Sequence, residues 1–347
     1  MLIKKTKIPF KAVVTVGILP SFLKKALYRW KGYQIGKNVS IGMGSVIIGK
    51  NVKIEDHVKI GLLTIIRADE ILIERYAAIG TFSVIDTGKL RIGEDARINE
   101  QVVIGGMKTP HSALDMGKRT IIMEYSFINT TMPITIGDDT GIGGHCLLFT
   151  HGSWLNQLEG FPVSFAPITI GKNVWLPWRV FIMPGVTIGD KVVIGANSMI
   201  NKSVASNCLV AGSPAKVIKE NFPEPLTGEQ KHKIFKEQFD QFLEHLIYHK
   251  VTLDKTEQGN MTFVSVRYKK DSFAINLING ESNAEINQKP DLLIYNISES
   301  NANPLLPDNF KGMVLNINDK TRHGSSKIGE EYVKFVSRYG LRFNRLD

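Results

Sequence analysis

Isoleucine or leucine returns at every sixth position over long stretches of this chain. Ile170, Leu176, Ile182, Ile188, Ile194 and Ile200 form one unbroken series, and Ile48, Ile54, Ile60, Ile66 and Leu72 form another. Shorter runs keep the same step: Ile73, Ile79, Ile85; Ile92, Ile98, Ile104; Ile122, Ile128, Ile134; and Ile136, Ile142, Leu148. Glycine often follows, as at Ile170-Gly171, Ile188-Gly189 and Ile194-Gly195. A period of six fits neither the helical repeat of 3.6 nor the sheet repeat of 2. It is the period of a parallel β-helix, where each unit supplies a short strand and a turn and three units close a triangular coil. Each aliphatic residue then points into the prism, and stacked coils lie about 4.8 Å apart.

Two stretches break the period. Residues 105–120 (GGMKTPHSALDMGKRT) and 152–167 (GSWLNQLEGFPVSFAP) are polar and irregular. They are expected as loops pushed out of the prism, and long loops on a rigid scaffold commonly line a site. His151 stands where the second loop leaves. An imidazole is the side chain whose ordinary pKa suits a general base near neutrality.

The ends are predicted as follows. A solenoid end exposes its core and needs a cap. Ser21 can N-cap a helix in which Phe22, Leu23, Ala26, Leu27 and Trp30 recur at helical spacing. That helix reads either as a cap with its apolar stripe on the prism, or as a membrane-surface helix, given Lys24, Lys25, Arg29 and Lys31 beside it. Residues 1–33 form this N-terminal segment and residues 34–220 the β-helix. After the turn at Ala211-Gly212-Ser213-Pro214 and the linker Pro223-Glu224-Pro225, residues 226–347 form a small α+β domain. Thr227 and Gln230 make a capping box. Ile234, Phe235, Phe239, Phe242, Leu243, Leu246 and Ile247 form the stripe of the helix that follows. Strands are expected at 261–267, 272–277, 292–297 and 313–317, and a last helix at 328–338. His245 and His249 are four residues apart on the first of these helices; lacking a third ligand, they read as surface histidines rather than a metal pair.

Composition narrows the function. The chain has 347 residues, 43% of them hydrophobic, and a formal charge of +10. That charge suits an anionic partner such as a phosphorylated cofactor or a membrane surface. No basic block interleaved with aromatics points to nucleic acid. Cys146 and Cys208 are the only cysteines, so no disulfide framework is expected, in keeping with a reducing cytoplasm. The apolar run 12–20 is too short to span a bilayer, and no clear cleavage site follows it.

With these residues in place, the first 220 positions resemble the hexapeptide-repeat acyltransferases, in particular the maltose, galactoside and capsule-polysaccharide O-acetyltransferase branch. The stretches that carry the resemblance are ITIGKNVW at 168–175, MPGVTIG at 183–189, IGANS at 194–198 and AGSPAKVI at 211–218. The resemblance implies a left-handed parallel β-helix, a homotrimer, and acetyl-CoA bound between neighbouring prisms, with no metal. It implies His151 as the base that takes the proton of a saccharide hydroxyl. It implies Trp175 beside the pantetheine arm, Gly195 and Ala196 close to the cofactor, and Lys202, Lys216 and Lys219 on its phosphates; a solvated terminal face is the plainer reading of these lysines. Pro177, Trp178 and Arg179 depart from the small residue expected there, which puts the local cofactor contacts in question. His145 reads as a structural or trimer-interface residue, with acceptor contact as the alternative. His111 on the first loop, and Trp154 and Glu159 on the second, are candidates for the acceptor pocket.

Other readings stay open at this stage. An N-acetyltransferase acting on an amino sugar or small xenobiotic would use the same scaffold, and so would a non-catalytic binding protein. A zinc enzyme of the γ-carbonic anhydrase type would need His145, His151 and His111 to converge, which one repeat of separation between the first two opposes.

Overall fold

A computed structural model describes residues 9–152, 154–259, 261–279, 290–296 and 310–346. The chain divides into two compact units, Met1–Glu224 and Pro225–Asp347.

In the first unit the chain visits three parallel sheets in rotation, at Gln34–Ile35, Ser40–Ile41 and Val46–Ile48, and then climbs to the next coil. Register aligns the inward residues. Ile35, Ile54, Ile73, Ile92, Met116, Ile136, Ile170 and Ile188 stack on the first sheet. Ile41, Ile60, Ile79, Ile98, Ile122, Ile142 and Leu176 stack on the second. All of these are buried. β-Branched side chains suit the pleated wall, and each one removed from water contributes roughly 1.5–3 kcal/mol.

The six-residue step mis-assigns two positions. Ile35, Ile54, Ile73 and Ile92 lie nineteen residues apart, so one extra residue enters each of these coils. Ile47 and Ile73 therefore face the core, while Ile48 and Leu72 are half-buried. The first loop is also shorter than expected. The coil resumes at Ala113–Met116, with Leu114 and Met116 buried. Those two alternate as a strand does, and a methionine in the isoleucine column hid them. The protrusion is thus 106–112. The second loop leaves after Thr150 and returns at Ile168–Ile170, close to the expected span.

The N-terminal cap is built the opposite way from expectation. Helix α1 (Ser21–Trp30) begins at Ser21, and Pro20 holds the N-cap position. The Ser21 hydroxyl accepts from the Ile41 N–H (3.0 Å). Lys24 and Tyr28, not the apolar stripe, face the prism, at 0% and 1% exposure. Lys24 Nζ donates to the carbonyls of Gly42 (2.5 Å) and Ser45 (3.1 Å). The Tyr28 hydroxyl accepts from the Ile47 N–H (2.9 Å). The physical cause is that the first coil has no coil before it, so its backbone groups need polar partners. At the far end, Cys208–Gly212 and Ala215–Glu220 pair antiparallel and close the second sheet.

In the second unit, α2 (Gly228–Tyr248) starts with the expected capping box of Thr227 and Gln230. Phe235, Phe239, Phe242, Leu243 and Leu246 are buried, whereas Ile234 and Ile247 are exposed, off the expected stripe. Among the described residues seven strands form one sheet, and α3 (Lys327–Val336) packs Tyr332 and Phe335 into the same core as α2. The strands include Met261–Tyr268, Asp271–Asn279, Leu292–Asn296 and Met313–Asn316; the expected end at Ile297 lies outside the described residues. The edge strand Thr252–Gln258 went unseen in the sequence because nearly every residue in it is exposed, leaving no hydrophobic alternation. His245 and His249 stand edge to face at 4.6 Å, with His245 also against Phe335.

Candidate active site

His151 is held from three directions. Its own strand, His151–Gly152, pairs antiparallel with Ser164–Phe165, so the loop returns across its own base. The Phe165 ring stacks on the imidazole at 5.5 Å. One coil earlier, buried Asn129 presents Oδ1 3.2 Å from His151 Nδ1. That contact can be oriented from its surroundings. The backbone N–H of Thr131 donates to the same Oδ1 (3.1 Å), and the Thr150 hydroxyl lies 3.3 Å from it. An atom that accepts from a main-chain N–H is the amide oxygen, which has no proton to give. In the neutral ring Nδ1 must then carry the proton, and Nε2 keeps its lone pair. This tautomer can accept a proton from a substrate.

The first loop braces the same spot. Met107 N–H donates to Thr131 Oγ1 (3.1 Å), and the Thr109 hydroxyl donates to the Thr131 carbonyl (2.8 Å). A Cβ on Gly106 would fall 2.8 Å from Asn129 Oδ1 and 2.6 Å from Thr131 Oγ1, closer than packed atoms tolerate. Asn129 and Thr131 were not singled out from the sequence. The signal was there: Ile128-Asn129-Thr130-Thr131 stands twenty residues before Leu148-Phe149-Thr150-His151, in register with it.

The other sequence candidates fall in separate places. His111 is exposed on the first loop; its backbone N–H donates to Thr109 Oγ1 (3.2 Å), and no hydrogen bond joins its ring to His151. His145 sits at a corner with φ +56, stacked on Tyr125 (5.0 Å) with the Trp178 ring tilted against it (5.6 Å). Trp154 is 97% exposed, so it does not pack its loop down within the chain. Glu159 accepts from Asn156 Nδ2 (2.9 Å) in the short turn Gln157–Glu159.

Trp175, Val193, Leu209 and Lys219 lie on one outward line of the second sheet. The Trp175 ring lies over Gly141, where a Cβ would meet Cε3 at 2.6 Å. Lys219 is paired with Glu224 (2.6 Å), while Lys202 and Lys216 are exposed. Gly195 has an internal reason to be glycine: a Cβ there would meet Ala211 Cβ at 2.7 Å. Ala196 is exposed on the same turn. Trp178 turns back over Gly144, where an added Cβ would meet the ring at 2.7 Å.

Cys146 is fully buried, and burial pushes its thiol up to about 11. Its Sγ donates to the Pro177 carbonyl at 3.1 Å. A thiol so placed is inert as a nucleophile. Among the described residues, no group of three His, Cys, Asp or Glu side chains is placed to hold a metal ion, and no helix is long and apolar enough to cross a membrane.

The family model described as bacterial transferase hexapeptide (six repeats) matches residues 167–202. Galactoside O-acetyltransferase of Escherichia coli K12 is 39% identical over 34% of this chain and 53% of its own length, so the chain spans about half of that relative. The E. coli K12 protein named as colanic acid biosynthesis acetyltransferase WcaF is 34% identical over 36% of this chain and 69% of its own length. Among solved structures, galactoside acetyltransferase in complex with coenzyme A aligns at 22% identity over 61% of this chain and 78% of its own, with a TM-score of 0.27. The stacked isoleucine coils, the repeat match and the identity across two thirds of WcaF together place the chain in the hexapeptide-repeat acyltransferase family.

Proposed function

We propose that this protein transfers an acetyl group from acetyl-CoA to a hydroxyl of a saccharide. The observation that carries the reading is the Thr131–Asn129–His151 chain of contacts, which in the neutral imidazole puts the proton on Nδ1 and the lone pair on Nε2. Acetyl-CoA would supply the acetyl group as a thioester. As the saccharide oxygen attacks the carbonyl carbon, Nε2 takes the hydroxyl proton; the carbon–sulfur bond then breaks, and the imidazolium returns the proton to the departing thiolate. No acyl-enzyme is required, in keeping with the inert Cys146 thiol. The names of the relatives, a galactoside O-acetyltransferase and a colanic acid biosynthesis acetyltransferase, favour a sugar acceptor.

The same reading gives the cofactor phosphates to Lys202, Lys216 and Lys219 and the pantetheine arm to Trp175, Gly195 and Ala196. It gives the acceptor to the loop carrying Trp154 and Glu159, with His111 across from it; His145 stays a corner residue. It includes a homotrimer in the cytoplasm. The outward line of the third sheet supports the trimer: Val84, Val103, Phe127, Leu147 and Phe181 follow one another in register. The matching line of the first sheet runs Lys53, Leu72, Arg91, Asp115, Thr135. An apolar sheet face of that length calls for cover.

The test is thiol release from acetyl-CoA with a panel of mono-, oligo- and polysaccharides. Acceptor-dependent release that drops about 10²- to 10⁴-fold in His151→Ala supports the reading. Equal release by both proteins would sink it.

A further inference from the structure

The cap helix α1 is amphipathic in an inverted sense. Lys24 and Tyr28 of this helix are buried, whereas Phe22 is 66% and Trp30 84% exposed. The segment before it continues the pattern, with Phe10 at 73% and Ile18 at 62%. Single exposed apolar residues are ordinary, but Phe10, Val14, Ile18, Phe22, Ala26 and Trp30 recur every fourth residue. The polar end of the prism takes the inner side of the helix, so the apolar side is left outside.

The charge of the chain is concentrated at this end. The first 54 residues contain eleven of the 43 Lys and Arg and none of the 33 Asp and Glu. The positive excess of the protein therefore lies in these first 54 residues, and the remaining sequence is close to neutral. Lys11 and Lys31 are exposed beside the apolar residues.

We propose that this face docks on an anionic lipid bilayer. Phenylalanine and isoleucine would enter the interfacial region, Trp30 would sit at headgroup depth, and the lysines would meet lipid phosphates. A second copy of the chain is a poor occupant, because two surfaces of this charge repel each other. The inference rests on the N-terminal end of the chain and stands apart from the transfer chemistry.

The experiment is co-sedimentation of the full chain with vesicles of phosphatidylcholine alone, or with about a third phosphatidylglycerol. Binding to the anionic vesicles is expected, weaker by about tenfold or more on neutral ones and in 0.5 M salt. Phe22→Ser with Trp30→Ser, and separately Lys11→Glu with Lys31→Glu, should each lower binding by a similar factor. All four side chains lie at the surface, and unchanged circular dichroism verifies the fold. Wild type that ignores anionic vesicles overturns the proposal, and so does equal binding by the variants. Sedimentation velocity without lipid gives the remaining arm: a larger assembly that Trp30→Ser dissociates would assign the face to another copy instead.

Discussion

The main-chain N–H of Thr131 and the side-chain oxygen of Asn129 are 3.1 Å apart, and this bond sets which nitrogen of His151 carries the proton. Asn129→Ala should therefore lower kcat by about 10–100-fold with little change in the KM for acetyl-CoA, since it removes orientation rather than cofactor contact. Asn129→Asp is the sharper test. A carboxylate beside Nδ1 favours the imidazolium, so a higher pH is needed before Nε2 is free. The acid limb of the kcat profile should move to higher pH by about one unit. A limb that stays in place would mean that His151 is not the titrating base.

Gly106 should matter for rate although it touches no substrate in this scheme. A methyl group there meets Asn129 Oδ1 and Thr131 Oγ1, both held by further hydrogen bonds. Gly106→Ala should fold, because it lies on a surface loop, yet lose about tenfold or more in kcat as Asn129 shifts. A variant with normal kcat would show that Asn129 can yield without moving His151.

How far the sequence led follows from which forces leave a periodic trace. The prism was legible because burial repeats with the coil, and Ile92, Ile98 and Ile104 are all inside. Its phase was less so, since one inserted residue per coil moves Ile48 and Leu72 off the core without altering composition. His151 could be found through a motif. Asn129 could not be found that way, since its role depends on contact between coils about twenty residues apart. The cap misled for a related reason: hydrophobic spacing locates an apolar face but does not say which side of the helix meets the protein. Here the unsatisfied backbone of the first coil chose Lys24 and Tyr28.

Cys146 gives a control. Its thiol is buried and held as S–H, so Cys146→Ala should keep its rate within about twofold while losing roughly 1 kcal/mol of stability from the small cavity and the lost bond to Pro177. Loss of burst and steady-state activity together, with the fold intact, would instead point to a covalent route.

Lys24 should make the cap pH-sensitive. Burial holds its amine below the ordinary lysine value, so the folded state resists the charged form. The sign follows: stability is complete above the value in the unfolded chain and falls as pH drops through the folded value. Lys24→Met loses both carbonyl contacts, at a cost of about 1–3 kcal/mol, and loses this pH term. The gap in Tm between wild type and Lys24→Met should widen from pH 7 to pH 9.5. A gap that is constant across that range would show that the amine titrates as it does in water.

The terminal hairpin allows the lysines to be ranked. Lys219 already has Glu224 at 2.6 Å, and both are substantially exposed, so the pair contributes little to stability but occupies the charge. If Lys202, Lys216 and Lys219 meet the phosphates of acetyl-CoA, then Lys202→Ala and Lys216→Ala should raise the KM for acetyl-CoA about three- to tenfold, with kcat kept and the effect shrinking in 0.5 M salt. Lys219→Ala should do less, and Glu224→Gln should lower that KM by releasing the amine. A Glu224→Gln variant with unchanged KM, beside a normal Lys219→Ala, would remove Lys219 from the cofactor surface and leave it as the structural partner of Glu224.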